Sequence, residues 1–264
     1  MKRKNKRKSS LFYERNLFFF YLKKNILSIK FILCILLSIF VVFQSLINIS
    51  PNEHFSSLYL DKQIFWYGFL GIFSLLNFPL YFPVILTADI ISGEFSNKSA
   101  MIIYSMESKT KILSIKLLSL IITLFILNSF LFLTFLIITL NLTEFLITFN
   151  IFLIGFLIIF VESMFMSSLT FLISALTRKT LVSFILPFFY ISIFYFLEEY
   201  LELELLSYNF YKMNVISLLE NVLFNELFDF SIINTIYIVV FLGLPLIIIL
   251  ITFYSFNQLD IRIG

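Results

Sequence analysis

Few side chains in this 264-residue chain could do chemistry. A mixed-charge stretch from Thr87 to Lys116 holds Asp89, Glu94, Lys98, Glu107, Lys109, Lys111 and Lys116 around an apolar cluster of Met101, Ile102, Ile103, Tyr104 and Met106. Glu162 stands midway along an apolar run, where a carboxylate is costly unless protonated, paired or wet, and intramembrane acids are functional by default. Its two readings are a residue facing a solvated cavity or a dimer seam, and a protonated acid satisfied by a neighbouring helix. Glu198 and Glu199 form a carboxylate pair of the kind that can activate water, but such a pair needs an accompanying Arg and His within the apolar runs, and none is there. His54 is the one histidine and Cys34 the one cysteine, too few for a zinc site of three or four ligands or for a disulfide framework. The phosphate loop GxxxxGK(S/T) and the hydrolase signatures HExxH and GxSxG are absent from the sequence. These residues predict a non-catalytic chain with no metal, no cofactor of its own and no motor.

The elements that position these groups are set by composition. With 60% hydrophobic and 13% charged residues and a mean hydropathy of +1.01, the chain is predicted to be an all-α polytopic membrane protein. About 20 apolar residues in a helix cross a hydrocarbon core of about 30 Å, and backbone polar groups in lipid must pair within the segment. Six spans are predicted: Phe31 to Ile49, Ile64 to Leu86, Leu117 to Leu140, Leu146 to Leu176, Leu181 to Leu197, and Ile232 to Phe256. Seventeen of the 19 Lys and Arg residues then fall on one side, leaving Lys62 and Lys212 on the other. Positive flanks stay in the cytoplasm, so both termini are predicted to be cytoplasmic, with anionic lipid rather than nucleic acid as partner of the basic face.

The predicted layout is one transmembrane domain over 1–264. Residues 1–30 form a basic N-terminus and elbow, with Met1 to Lys8 disordered and an interfacial helix from Ser10 to Asn25 that Ser10 could cap. Pro79 and Pro83, four residues apart in the second span, predict a bend and a hinge before the Thr87 loop. Residues 198–231 form an outer acidic helical segment whose second half, from Val215 to Leu227, has helical apolar spacing, so its apolar side should rest on the bundle or dip into the membrane.

This layout resembles the type 2 ABC transporter permeases. The likeness is carried by Ala88-Asp89-Ile90-Ile91-Ser92-Gly93-Glu94-Phe95, by Ser105-Met106-Glu107-Ser108-Lys109-Thr110-Lys111 and by Ile115-Lys116. Ser174-Ala175-Leu176-Thr177-Arg178-Lys179 is similar to the family's fourth cytoplasmic corner, and Phe256 with Asp260 to its closing motif. Lys98-Ser99 stands where the family commonly has Gly-Thr, and Met106 where a proline is usual. The resemblance implies an export permease of the plasma membrane that binds no cofactor itself. Its partners would be a second permease, identical or not, and separately encoded ATPase subunits holding ATP and Mg. Residues 87–116 would be the cytoplasmic coupling loop, with a helix within Glu94 to Tyr104 seated on the ATPase. Asp89, Gly93, Glu94, Lys98, Glu107, Lys109 and Lys111 would be the coupling residues. The alternative, from the residues alone, is a non-ABC channel or scaffold whose 87–116 loop binds another cytoplasmic partner.

Overall fold

The computed structural model describes residues 2–47, 66–70, 78–142, 149–201, 214–217 and 232–258, and among these the chain is helical with no strand. The helices are α1 (Lys2–Ile26), α2 (Ile29–Ile47), α3 (Phe78–Thr87), α4 (Ser92–Ser96), α5 (Ala100–Met106), α6 (Lys109–Leu142), α7 (Phe149–Thr177), α8 (Thr180–Leu201) and α9 (Ile232–Gln258). Among the described residues, three segments are long and apolar enough to cross a membrane: Lys109–Asn141, Leu153–Thr177 and Asn234–Gln258. The pair Glu14–Ile26 and Ile29–Ser45, bent by 49°, forms a fourth if taken as one broken span. This is a membrane protein built of helices.

At the centre lies α7, packed against α3, α6, α8 and α9, while α6 carries α1 and α2 on its other side. Lipid tails are as apolar as leucine, so these helices are held by close packing rather than by expulsion of apolar surface from water. Phe69, Phe132 and Phe135 meet with ring centroids 6.2 to 6.5 Å apart, and Gly155 of α7 lets that helix approach them. A Cβ at Gly155 would come within 3.1 Å of Phe132 Cζ. Hydroxyls inside the bundle bond to carbonyls of their own helix, as in Thr123 to Ser119, Thr139 to Phe135, Thr170 to Met166 and Thr252 to Ile248. This leaves few polar groups to be satisfied between helices. Outward faces are apolar: Leu36, Phe40 and Phe43 on α2, Leu118, Phe125, Leu133 and Ile137 on α6, and Val239, Leu246 and Leu250 on α9 are all exposed.

Two expectations for the N-terminus are corrected. The first helix begins at Lys2 rather than at Ser10, so Ser10 is no cap and residues 2–8 are not disordered. Lys and Arg are good helix formers and no Gly or Pro interrupts the run. The helix in the Thr87 loop is two short helices, α4 and α5, separated by a turn at residues 97–99.

Of the predicted hinge prolines, Pro79 lies in the first turn of α3, where its missing N–H costs little. Pro83 is interior to a helix that continues through it. Residues 71–77, in the middle of the expected second span, lie outside the described residues. So do His54, Asp260 and most of 198–231. Within that last segment residues 214–217 are helical, and Val215 and Ile216 are buried against the main core.

Candidate functional site

The Thr87 to Lys116 stretch folds back on the bundle and closes one end of it. After α3 the chain makes a tight turn in which Ser92 Oγ donates to the Ala88 carbonyl at 2.6 Å, and the Ser92 N–H donates to Ser174 Oγ of α7 at 3.0 Å. Ser174 Oγ in turn donates to the Ala88 carbonyl at 3.2 Å. Ser92 Oγ also lies 3.3 Å from Thr180 Oγ1, so the turn is riveted to the corner between α7 and α8.

The turn delivers Glu94 into the interior. Glu94, 5% exposed, pairs with the ammonium of Lys116, 1% exposed, and accepts a 2.9 Å bond from the Tyr21 hydroxyl of α1. Lys116 Nζ also donates to the Ile90 carbonyl at 2.9 Å and to the Tyr104 hydroxyl at 3.3 Å. It stands 5.3 Å from the ring centroid of Tyr21 and 5.5 Å from that of Tyr104. Three neighbouring oxygens and two aromatic faces thus share one buried cation, the arrangement a charge needs once removed from water. Burial, reinforced by the nearby Glu94 carboxylate, pushes the Tyr104 phenol well above its ordinary range, so it stays neutral at any physiological pH.

Aromatic contacts extend this knot. Tyr104 stacks with Phe95 at 6.2 Å and meets Phe256 of α9 at 5.3 Å. Arg178, at the corner after α7, lies 4.9 Å over the Phe95 ring. Beneath them Ile91, Leu113, Phe171, Ala175 and Phe256 form a second core cluster. Two turns are closed by residues in the left-handed region, Lys98 with φ 56° and Arg178 with φ 55°. The Asn97 N–H bonds to the Gly93 carbonyl and the Lys98 N–H to that of Phe95, ending α4. A glycine takes this conformation without strain.

The sequence-predicted residues divide. Glu94 faces inward, paired with Lys116 rather than standing on the surface. Asp89 pairs with Lys30 of α2 at 2.8 Å. Lys111 bridges Glu107 at 2.9 Å and Glu14 of α1 at 2.8 Å, so these charges tie the loop to the elbow. Lys98 is exposed at its turn, and Lys109 borders an open groove with Met101, Ile102, Tyr104 and Ser105. Gly93 is not demanded by the fold, since a Cβ there would meet only Asp89 Cβ at an ordinary 3.4 Å. What α5 presents outward is apolar: Met101 is 53% exposed and Ile102 is 62% exposed.

Glu162 is far from this site in sequence and 4% exposed, inside the bundle of a single chain rather than on an outward seam. Beside it, Ser163 Oγ donates to Asn128 Oδ1 of α6 at 3.1 Å. No group of three or more His, Cys, Asp or Glu side chains among the described residues could hold a metal.

Sequence reasoning missed Tyr21, Lys30 and the inward role of Tyr104. Tyr21 is one aromatic of several in LFYERNLFFFYLKKN, with nothing in its spacing to distinguish it. Fold and site together define a helical membrane protein closed at one end by a buried charged knot with an exposed apolar helix upon it. No protein-family model matches the chain, and no curated protein matches it.

Proposed function

We propose that this chain is the membrane subunit of an ATP-binding-cassette exporter of the type 2 permease kind. Six helices would cross the plasma membrane with both termini in the cytoplasm. A second permease and separately encoded ATPase subunits, which hold ATP and Mg, would complete the complex. The observation that carries this reading is convergence. The motif residues of the resemblance run from Ala88 to Phe256 in sequence, yet Ser92, Glu94, Phe95, Lys116, Ser174, Arg178 and Phe256 are joined in one set of contacts. A loop that merely linked two spans would need none of these ties.

The knot is also wired as a lever. A displacement of α5 would reach α6 through Tyr104 and Lys116, α1 through Tyr21, the α7–α8 corner through Phe95 and Arg178, and α9 through Phe256. An ATPase seated on α5 could therefore move several helices at once. Each nucleotide state must favour one arrangement of them for transport to follow. Met101 and Ile102 supply contact area and the charges around them set orientation. Gly93, which the fold does not require, leaves room for close approach. The cargo would be an amphipathic or lipid-like molecule, a peptide or a drug, moved outward.

Glu94→Lys is a poor test, because it would disrupt the interior. The informative variants are Met101→Asp and Ile102→Asp, both on exposed positions. A P-loop ATPase encoded beside this chain should copurify with the parent and be lost at least about tenfold in the double variant, with insertion and elution unchanged. Equal recovery from parent and variant would sink the reading.

A further inference from the structure

At the bend between α1 and α2 lies a notch of about 260 Å³ whose lining includes Lys24, Asn25, Ser28, Lys30, Asp89 and Lys116. We propose that it holds the phosphate of an anionic phospholipid. The inference rests on the membrane character of the chain and not on the transporter reading.

Three ammonium groups border the notch, and they are not equivalent. Lys116 is committed to Glu94, and Lys30 is paired with Asp89, the one carboxylate in the lining. Lys24 has no ion-pair partner among the described residues, and its side chain is exposed beside the opening. The notch therefore carries one uncompensated positive charge, with polar groups around it. Asn25 Nδ2 donates to Ser119 Oγ at 3.2 Å, and Ser28 Oγ donates to the Asn25 carbonyl at 2.7 Å. The same Ser28 Oγ accepts the Phe31 N–H at 3.1 Å, which makes it the cap of α2 and turns that helix's positive end toward the space. The volume is several times the roughly 30 Å³ share of one water, enough for a phosphate and part of its ester.

What distinguishes a lipid from a free anion is the rim. Leu27 and Ile29 are 64% and 77% exposed, and Ile32 and Leu33 continue the exposed apolar face along α2. A phosphate alone would use only the basic groups, whereas a phospholipid uses both, its headgroup in the notch and its chains against α2.

The test uses the purified full-length protein in neutral detergent. It is titrated with phosphatidylglycerol, phosphatidylcholine or inorganic phosphate while the thermal unfolding midpoint is read. Phosphatidylglycerol should raise the midpoint, and the other two should not at matched concentration. Lys24→Gln should shift the phosphatidylglycerol titration about fivefold to higher concentration, the factor one lysine contributes near an anionic headgroup. Lys23→Gln, adjacent and exposed but outside the lining, should leave it in place. Both lysines are exposed, and glutamine is a polar, good helix former only one atom shorter, so folding is preserved. Equal effects of the two lipids, an unshifted Lys24→Gln titration, or an equal loss in Lys23→Gln would overturn the site. Protection by phosphate matching that by phosphatidylglycerol would overturn its assignment to lipid.

Discussion

Replacing Lys116 by methionine removes the cation around which the closed end is built while keeping nearly the same side-chain length. In the parent that ammonium neutralises Glu94 and engages the Ile90 carbonyl, the Tyr104 hydroxyl and the faces of two tyrosines. The variant leaves a carboxylate out of water with only the neutral hydroxyls of Tyr21 and Tyr104 beside it, and stranding one member of a buried pair costs about 3–5 kcal/mol. Glu94→Gln strands the opposite charge at a similar cost. The double variant removes both charges, and its amide can still accept from Tyr21. Its cost should fall to about 1–2 kcal/mol, that of imperfectly rebuilt hydrogen bonds. The single costs therefore do not add, and the cycle should return an interaction of about 4 kcal/mol or more. Urea unfolding of the purified full-length protein in detergent, followed by helical circular dichroism, measures each corner. If Lys116→Met is as stable as the parent, or the double variant is worse than both singles, the pair does not organise this end of the protein.

Other expectations follow from particular contacts. Ser174→Ala should destabilise by about 1–3 kcal/mol, because the buried Ser92 N–H loses its acceptor; the same unfolding assay reads it, and no change would mean the turn is not riveted to α7. Gly155→Ala should cost about 1–3 kcal/mol by pushing against Phe132, and Gly155→Leu should abolish recovery of monodisperse protein, while Gly93→Ala should leave stability intact. Lys98→Gly should be neutral or stabilising and Lys98→Val should cost about 1–2 kcal/mol, since a side chain in the left-handed region is strained. Equal melting temperatures for those two variants would argue against this turn.

Much of the helical layout is legible in the sequence because hydrophobic length alone specifies it. The runs predicted at Leu117 to Leu140, Leu146 to Leu176 and Ile232 to Phe256 lie within or close to α6, α7 and α9. Which side of each helix faces lipid is not legible. Phe, Leu and Ile surround α6 on all sides, so only packing separates buried Phe132 and Phe135 from exposed Leu133 and Ile137. Charge was legible as a cluster but not as a direction. Glu94 and Lys98 lie in one short stretch, yet a left-handed turn sends one inward and leaves the other in the open. Partners from distant elements were least legible: nothing local links Tyr21 to Glu94 across 73 positions.

The shell around Lys116 has a temporal order written into it. Tyr21, Ile90, Glu94 and Tyr104 all precede that lysine in the chain, so a ribosome delivers the cation last, to ligands that already exist. A nascent chain extending just past α6 holds everything required to neutralise the charge at its head. The first half of the protein can therefore settle in the bilayer before α7 is made, and the later helices dock onto a finished template. Phe256 then arrives as a late contact on Tyr104, which makes the docking of α9 the step that seals this end of the bundle.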